Sequence, residues 1–491
     1  MPRYHTHPFY ENVFAFLMRW NTLFQHGGQI RRGPVWPQSR NVNGYKRRLS
    51  VKNKSIHVLL GPLVMFIALS AMPGRNGDIA RASGASSSPS GRAAAYAMQN
   101  RLQRAITKAG WWKQIVRKPN GQLHHTYLIP GAAYFQLFDW DTYFMGVALS
   151  NRNRGKSLAG SVKDFLHFTS RYWSYRGYTP RVVAGHHTWA LPEMCKPFLA
   201  QMALRASLTL HTVAWLKPYY SRLADTLWYW RHARRSPDGL FKWFDGVESG
   251  VDDSAAVIGL SADRTEGVDL ACYIYREYLA MADLASLLGK PADVRRYQQH
   301  AAKLKLLIQK RLWDNNAGSF YNRNSRTGAF IPAPEWTNLV PLWAHVATKR
   351  QAHILITRYV LNPRQFWTPF GIRSLAPESP LYHPVHGYWQ GPIWIISNYM
   401  VMHGLMNYGY TSQAQQLAKD TVATLLRDIK TTGGMHETYN PNTGTGQNDG
   451  FFKSWDLLGA FMIQEAYAGQ NAAGIPSVKK TEGIMNKKGP R

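Results

Sequence analysis

The sequence predicts an all-α protein whose helices pair antiparallel and close into a ring. Three observations carry this. Apolar residues recur at helical spacing through most of the chain after residue 91. The connections between helices alternate between very short (209–212, 289–291) and long (174–192, 235–267, 362–390, 430–450). The polar and acidic motifs that could carry chemistry all lie in or beside the long connections, which puts them at one end of the array.

The clearest helices are 268–288 and 291–312. The first places Leu270, Ile274, Met281, Leu284 and Leu288 on one face, and Gly289 stops it. Its successor opens at Pro291 and aligns Val294, Tyr297, Ala301, Leu304, Ile308 and Leu312. Pro at a helix start and Gly beyond its end are the expected punctuation. Further pairs are predicted at 92–109 with 139–151, 157–173 with 193–210, and 213–234 with 268–288. They continue at 291–312 with 334–347, 349–361 with 391–408, and 411–429 with 451–468, about twelve helices in all. No fixed-period repeat favours an open solenoid.

The N-terminal part reads differently. Residues 1–45 lack sustained periodicity and are expected to be a spurious or dispensable extension. Residues 46–72 combine a basic flank, Lys46-Arg47-Arg48, with the apolar run Val58–Met72. That pattern suits a signal peptide or an anchor, and its roughly 15 apolar residues fall short of the ~20 of a spanning helix. A signal peptide there implies a periplasmic or secreted protein, and a membrane anchor if it stays uncleaved. The Gly/Ser/Pro-rich stretch 73–91 reads as a linker, 92–470 as the folded domain and 471–491 as a basic tail.

With 59 basic and 28 acidic side chains the chain carries a net charge of +31. Such a balance favours anionic partners in general, but no recognised nucleic-acid module accompanies it. Two cysteines, Cys195 and Cys272, make neither a disulfide scaffold nor a cysteine metal site. No cofactor and no metal are expected: ligand-spaced His pairs, a phosphate loop and a Gly-x-Ser-x-Gly elbow are all missing. Adjacent His186-His187 points poorly toward one ion.

Four stretches remain: Phe138–Phe144 (FDWDTYF), Glu248–Ser254 (ESGVDDS), Gly387–Trp394 (GYWQGPIW) and His436–Gly444 (HETYNPNTG). The second packs three carboxylates into a short loop of a strongly basic chain. Carboxyl groups on separate loops at one end of a ring suit hydrolysis of a glycosidic bond. One protonates the leaving oxygen, while the other attacks or activates water. Tryptophan faces beside them suit sugar stacking.

Taken together and in order, these stretches resemble the (α/α)6-barrel inverting α-glycosidases. The likeness is to glycoside hydrolase family 63 and its mannosylglycerate/glucosylglycerate hydrolase-like branch, across roughly residues 92–470. The family motif Glu-Ser-Gly-x-Asp-Asn-Ser matches Glu248–Ser254, Tyr-Trp-Arg-Gly-Pro-x-Trp matches Tyr388–Trp394, and Glu-x-Tyr-x-Pro-x-Thr-Gly matches Glu437–Gly444. The resemblance implies Asp252 as general acid and Glu437 as general base, with carboxyls ~6.5–9.5 Å apart for inversion. It also implies a substrate pocket formed by Trp140, Asp141, Glu248, Tyr388, Trp389, Gln390 and Trp394. The expected partner is a small α-glucoside or α-mannoside, with no specific nucleic acid. Two departures stand out: Asp253 replaces the motif's Asn and so rivals Asp252, and Gln390 replaces its Arg. Trehalase-type hydrolysis and a non-catalytic glycan-binding toroid are the alternatives.

Overall fold

The computed structural model describes residues 88–185, 193–257 and 264–469. The N-terminal extension, the signal peptide or anchor, the basic tail and His186-His187 lie outside the described residues. The linker does too, apart from its last residues. Those are helical: Ser88 accepts a hydrogen bond from the Gly91 amide and Pro89 takes the first turn, so the first helix starts ahead of residue 92.

Twelve helical segments of the described residues form two layers. They are α1 (Pro89–Lys108), α2 (Asp139–Ser150), α3 (Lys156–His167), α4 (Leu199–Leu210), α5 (Tyr220–Ala233), α6 (Val268–Leu287), α7 (Pro291–Arg311), α8 (Val340–Trp343), α9 (Lys349–Leu355), α10 (Ile395–Asn407), α11 (Thr411–Thr432) and α12 (Gly459–Ala468). The even-numbered helices pack in sequence, α2 on α4, α4 on α6, α6 on α8 and α8 on α10. The 3-10 turn Ser454–Leu458 leading into α12 then returns to α2 and closes the ring. The odd-numbered helices lie outside, α7 on α6, α11 on α10 and α12, and α1 on α12.

Sequence character explains the layers. In α2 every residue from Asp139 to Leu149 is buried, and in α10 every residue from Ile395 to Met406. Helices apolar all round belong inside. The outer α7 buries only Tyr297, Ala301, Leu304 and Ile308, a narrow stripe on an otherwise charged helix.

Several predicted helices are shorter than expected. The inner segment predicted at 334–347 is a 3-10 turn, Trp336–Leu339, followed by the one-turn α8, whose Pro341 sits in its first turn. Predicted 213–234 begins as a 3-10 turn through Pro218 before α5, and 157–173 ends at His167. Cys195 precedes α4 rather than lying within it, and both cysteines are buried free thiols. Among the described residues no helix is long and apolar enough to cross a membrane.

Candidate active site

Glu248–Ser254 is a loop pinned at both ends. On one side Asp245 caps the turn Gly246–Ser249 by accepting the Glu248 amide at 2.7 Å. The Glu248 carboxylate points inward with no exposed surface. It accepts from the amides of Met194 (2.8 Å) and Phe244 (2.6 Å) and from Arg234 Nη2 (3.2 Å). On the other side Ser254 donates to Glu335 Oε2 at 2.7 Å. Gly250 holds the bend at φ +79°, where a Cβ would stand 2.7 Å from Trp140 and from the Lys196 side chain. No other residue fits there.

Asp252 stands between these anchors. It is exposed to solvent, yet enough protein surrounds it that desolvation pushes its carboxyl up to about 6. Its exposed carboxyl stands at the boundary between protein and water. Arg181 and Lys196 oppose the rise, while Asp245 and Glu193 add to it. Glu248, by contrast, is not a pocket residue: its oxygens are spent on the backbone and Arg234. Asp253 turns away as well. Its Oδ1 accepts the Trp389 amide at 3.1 Å, and its carbonyl accepts from Gln390 Nε2 at 3.0 Å. Gln390 therefore ties two loops together.

Glu437 is 4% exposed and lies on the strand His436–Tyr439, which pairs antiparallel with Gly446–Gly450. Tyr439 exchanges backbone hydrogen bonds with Ile393 at 2.8 and 2.9 Å, joining this strand to the Gly387–Trp394 stretch. Tyr134 donates to Glu437 Oε1 at 2.9 Å and Tyr388 to the same oxygen at 3.4 Å. With Oε1 held by two hydroxyls, Oε2 is left for other partners. Burial pushes the Glu437 carboxyl up to about 8. The Tyr134 hydrogen bond opposes this, and the charges of Asp449, Asp141 and Asp252 reinforce it. Tyr388, itself in a left-handed conformation at φ 53°, lies in the field of both Glu437 and Asp252. Strained non-glycine backbone concentrates at functional sites.

Beside them, Asp141 accepts from Ser454 Oγ at 2.6 Å, and burial pushes its carboxyl up to about 7. Lys196 Nζ pairs with Asp139 at 3.2 Å and lies 4.9 Å from the centre of the Trp140 ring. The tryptophans form a packed cluster. Trp389 stacks on Trp394 at 3.7 Å between ring centres and lies 5.9 Å from Trp140. Trp394 is fully buried and donates from Nε1 to the Tyr388 carbonyl at 2.9 Å. It supports Tyr388 and Trp389 from behind and does not line the pocket. Trp140 and Trp389 are nearly buried too, at 5% and 2%.

Sequence reasoning missed Tyr134 and Glu193 as neighbours of the carboxyls, and Asp449 beside Glu437. Tyr134 lies four residues before the Phe138–Phe144 stretch, and nothing in its immediate sequence marks it out. Among the described residues no group of three or more His, Cys, Asp or Glu is placed to hold a metal ion. Tyr134→Phe is expected to lower kcat about ten- to hundredfold, the loss of a hydrogen bond worth ~1.5–3 kcal/mol to a charged group. Steady-state kinetics beside a thermal melt checks this, with the melting temperature unchanged.

A closed ring of paired helices with separate raised carboxyls on its long loops defines the chain as an (α/α)6-barrel protein with a glycoside hydrolase type of site. Likeness to known proteins makes this specific. The profile of the mannosylglycerate hydrolase MGH1-like glycoside hydrolase domain matches residues 134–455, and the chain belongs to that family. Mannosylglycerate hydrolase MGH1 of Selaginella moellendorffii is 30% identical over 187 residues, 38% of this chain and 36% of the relative. A mannosylglycerate hydrolase of Rubrobacter radiotolerans is 28% identical over 179 residues, 36% of this chain and 38% of the relative. The aligned stretch thus spans just over a third of the length of these curated relatives. Among solved structures, the glycoside hydrolase family 63 mannosylglycerate hydrolase from Thermus thermophilus in complex with Tris and D-glycerate has a TM-score of 0.59. It is 18% identical, covering 74% of this chain and 99% of its own. Neutral trehalase Nth1 from Saccharomyces cerevisiae has a TM-score of 0.57 at 18% identity, covering 73% and 77%. At these identities the solved structures establish the shared fold.

Proposed function

We propose that this protein is an inverting α-glycosidase acting on a small α-mannoside or α-glucoside of the mannosylglycerate or glucosylglycerate type. In this reading Asp252 protonates the leaving oxygen and Glu437 activates water. Tyr388, Trp140 and Asp141 hold the glycosyl unit with Trp389 packed behind them, and Gln390 keeps the loop of Trp389 on that of Asp252. The observation that carries it is the contrast between the carboxyls. Asp252 stands exposed to solvent between two anchored loop ends, and Glu437 is buried with one oxygen clamped by two tyrosines. Arg181, in the field of Asp252, suits the carboxylate of a glycerate aglycone. The apolar run 58–72 behind a basic flank supports export, and we assign the catalytic domain to residues 89–469.

With Asp252 raised to about 6 and Glu437 to about 8, the two carboxyls together hold one proton between those values. Below that window both are protonated and no base remains. Above it both are ionised and no acid remains. kcat/KM should therefore describe a bell with limbs near about 6 and about 8. In the empty site the shared proton rests on Glu437, the more strongly raised group, whereas turnover needs it on Asp252. In this reading turnover runs through the minor form in which Asp252 holds the proton and Glu437 is ionised. A flat profile from pH 5 to 9 would contradict a shared proton.

The experiment that tests the substrate is a panel of mannosylglycerate, glucosylglycerate, trehalose and kojibiose at equal concentration. The glycerate glycosides should be cleaved at least ~10-fold faster, the discrimination that one charged contact of ~1.4 kcal/mol supplies. Preference for trehalose would replace this reading by a trehalase-type one. Absence of turnover on all four, with saturable binding, would favour a non-catalytic toroid.

A further inference from the structure

A second concave site lies away from the carboxyls, where the start of α3 meets the turn after α4. It is a cleft of about 360 Å³ lined by His124, His125, Lys156, Lys163 and Trp215, with Thr126 and Leu210 among the remaining walls. Ligand sites usually start near ~300 Å³. It shares no lining residue with the Asp252–Glu437 site.

The lining contains four basic side chains and no acidic one. The nearby carboxylate, Asp164, is fully buried and already committed. It accepts the His124 amide at 3.1 Å and the His125 amide at 3.4 Å, and pairs with His125 Nδ1 at 2.8 Å. These bonds fix the His124-His125 turn against α3 and leave Lys156 and Lys163 without an anionic partner among the described residues. Lys163 Nζ instead lies 5.8 Å from the centre of the Trp215 ring. Trp215 is half-buried, and its Nε1 is buried without a hydrogen-bond partner among the described residues. Lys156 opens α3, whose cap residue Gly155 supplies no side-chain acceptor, so the positive end of that helix also faces this region.

Two lysine ammonium groups beside an aromatic face suit an anion carried on a body with an apolar side. We propose that this cleft binds a small anionic carbohydrate, a sugar acid or a sugar phosphate. The anionic group lies between Lys156 and Lys163, and the ring lies against Trp215. The site is independent of the catalytic reading, since it uses other residues on other elements.

Calorimetric titration of the full chain with glucuronate, glucose 6-phosphate, inorganic phosphate and glucose tests this. One of the two charged sugars should bind saturably, at least ~10-fold tighter than glucose and tighter than phosphate, and binding should weaken as salt rises. Glucuronate or glucose 6-phosphate as the tighter ligand identifies carboxylate or phosphate as the natural anion. The exposed substitution Lys156→Ala and the pair Lys156→Ala/Lys163→Ala should each weaken it while leaving glycoside hydrolysis unchanged. Trp215→Ala should remove the preference over inorganic phosphate. Three results overturn the proposal: no saturable binding of either charged sugar at concentrations up to about 10 mM, a Kd above which binding is worth less than ~3 kcal/mol, binding unaffected by the double lysine substitution, or phosphate binding as tightly as both sugars.

Discussion

Asp252→Asn and Glu437→Gln are each expected to lower kcat/KM by at least ~100-fold, at the lower edge of what positioned acid–base groups contribute. Asp253→Asn is expected to cost far less. The reason lies in where each side chain goes. Asp252 is exposed to solvent, whereas Asp253 accepts the Trp389 amide, a bond that Asn preserves through its carbonyl oxygen. The two substitutions at the carboxyls should also differ from each other. An activated leaving group such as 4-nitrophenol needs little protonation, so it should restore much of the rate to Asp252→Asn and little to Glu437→Gln. Equal losses for Asp252→Asn and Asp253→Asn, measured by initial rates, would move the acid by one residue. Recovery of Glu437→Gln instead would exchange the two roles.

The second large effect is on stability. Glu248→Ala is expected to destabilise the protein by ~3–5 kcal/mol, the usual cost of removing one partner from a buried ion pair. It removes the carboxylate that pairs with Arg234 and leaves the Met194 and Phe244 amides without their acceptor. Glu248 lies only four positions before Asp252, yet their substitutions should read out in different experiments. Glu248→Ala should show as a fall of several degrees in the thermal midpoint, and Asp252→Asn as lost turnover in a protein that melts normally. A Glu248→Ala protein with the parent's melting temperature and no activity would return Glu248 to the substrate pocket.

That contrast shows what the sequence can carry. The motif Glu248–Ser254 marks a site because its residue types are unusual for so basic a chain. Whether a given carboxylate faces water or protein depends on Arg234, Met194 and Phe244, which the fold brings in from outside the motif. Trp394 illustrates the same limit: its burial under Trp389 follows from how the 388–394 turn folds back on α10. Tyr134 reaches Glu437 across 303 positions, a contact with no local pattern to announce it. The helices were more legible. Apolar stripes and the Gly289/Pro291 punctuation place α6 and α7 to within a residue, since each helix buries a face that its own period defines. At Pro218 and just ahead of Pro341, 3-10 turns replace part of the predicted helix.

Proton NMR of the first-formed sugar addresses the central claim most directly. The account assigns separate acid and base roles to Asp252 and Glu437, with water between the base and the anomeric carbon. An α-linked substrate should therefore release the β-anomer first, before mutarotation supplies the α form. Initial release of the α-anomer would mean a covalent glycosyl–enzyme intermediate and would contradict the account.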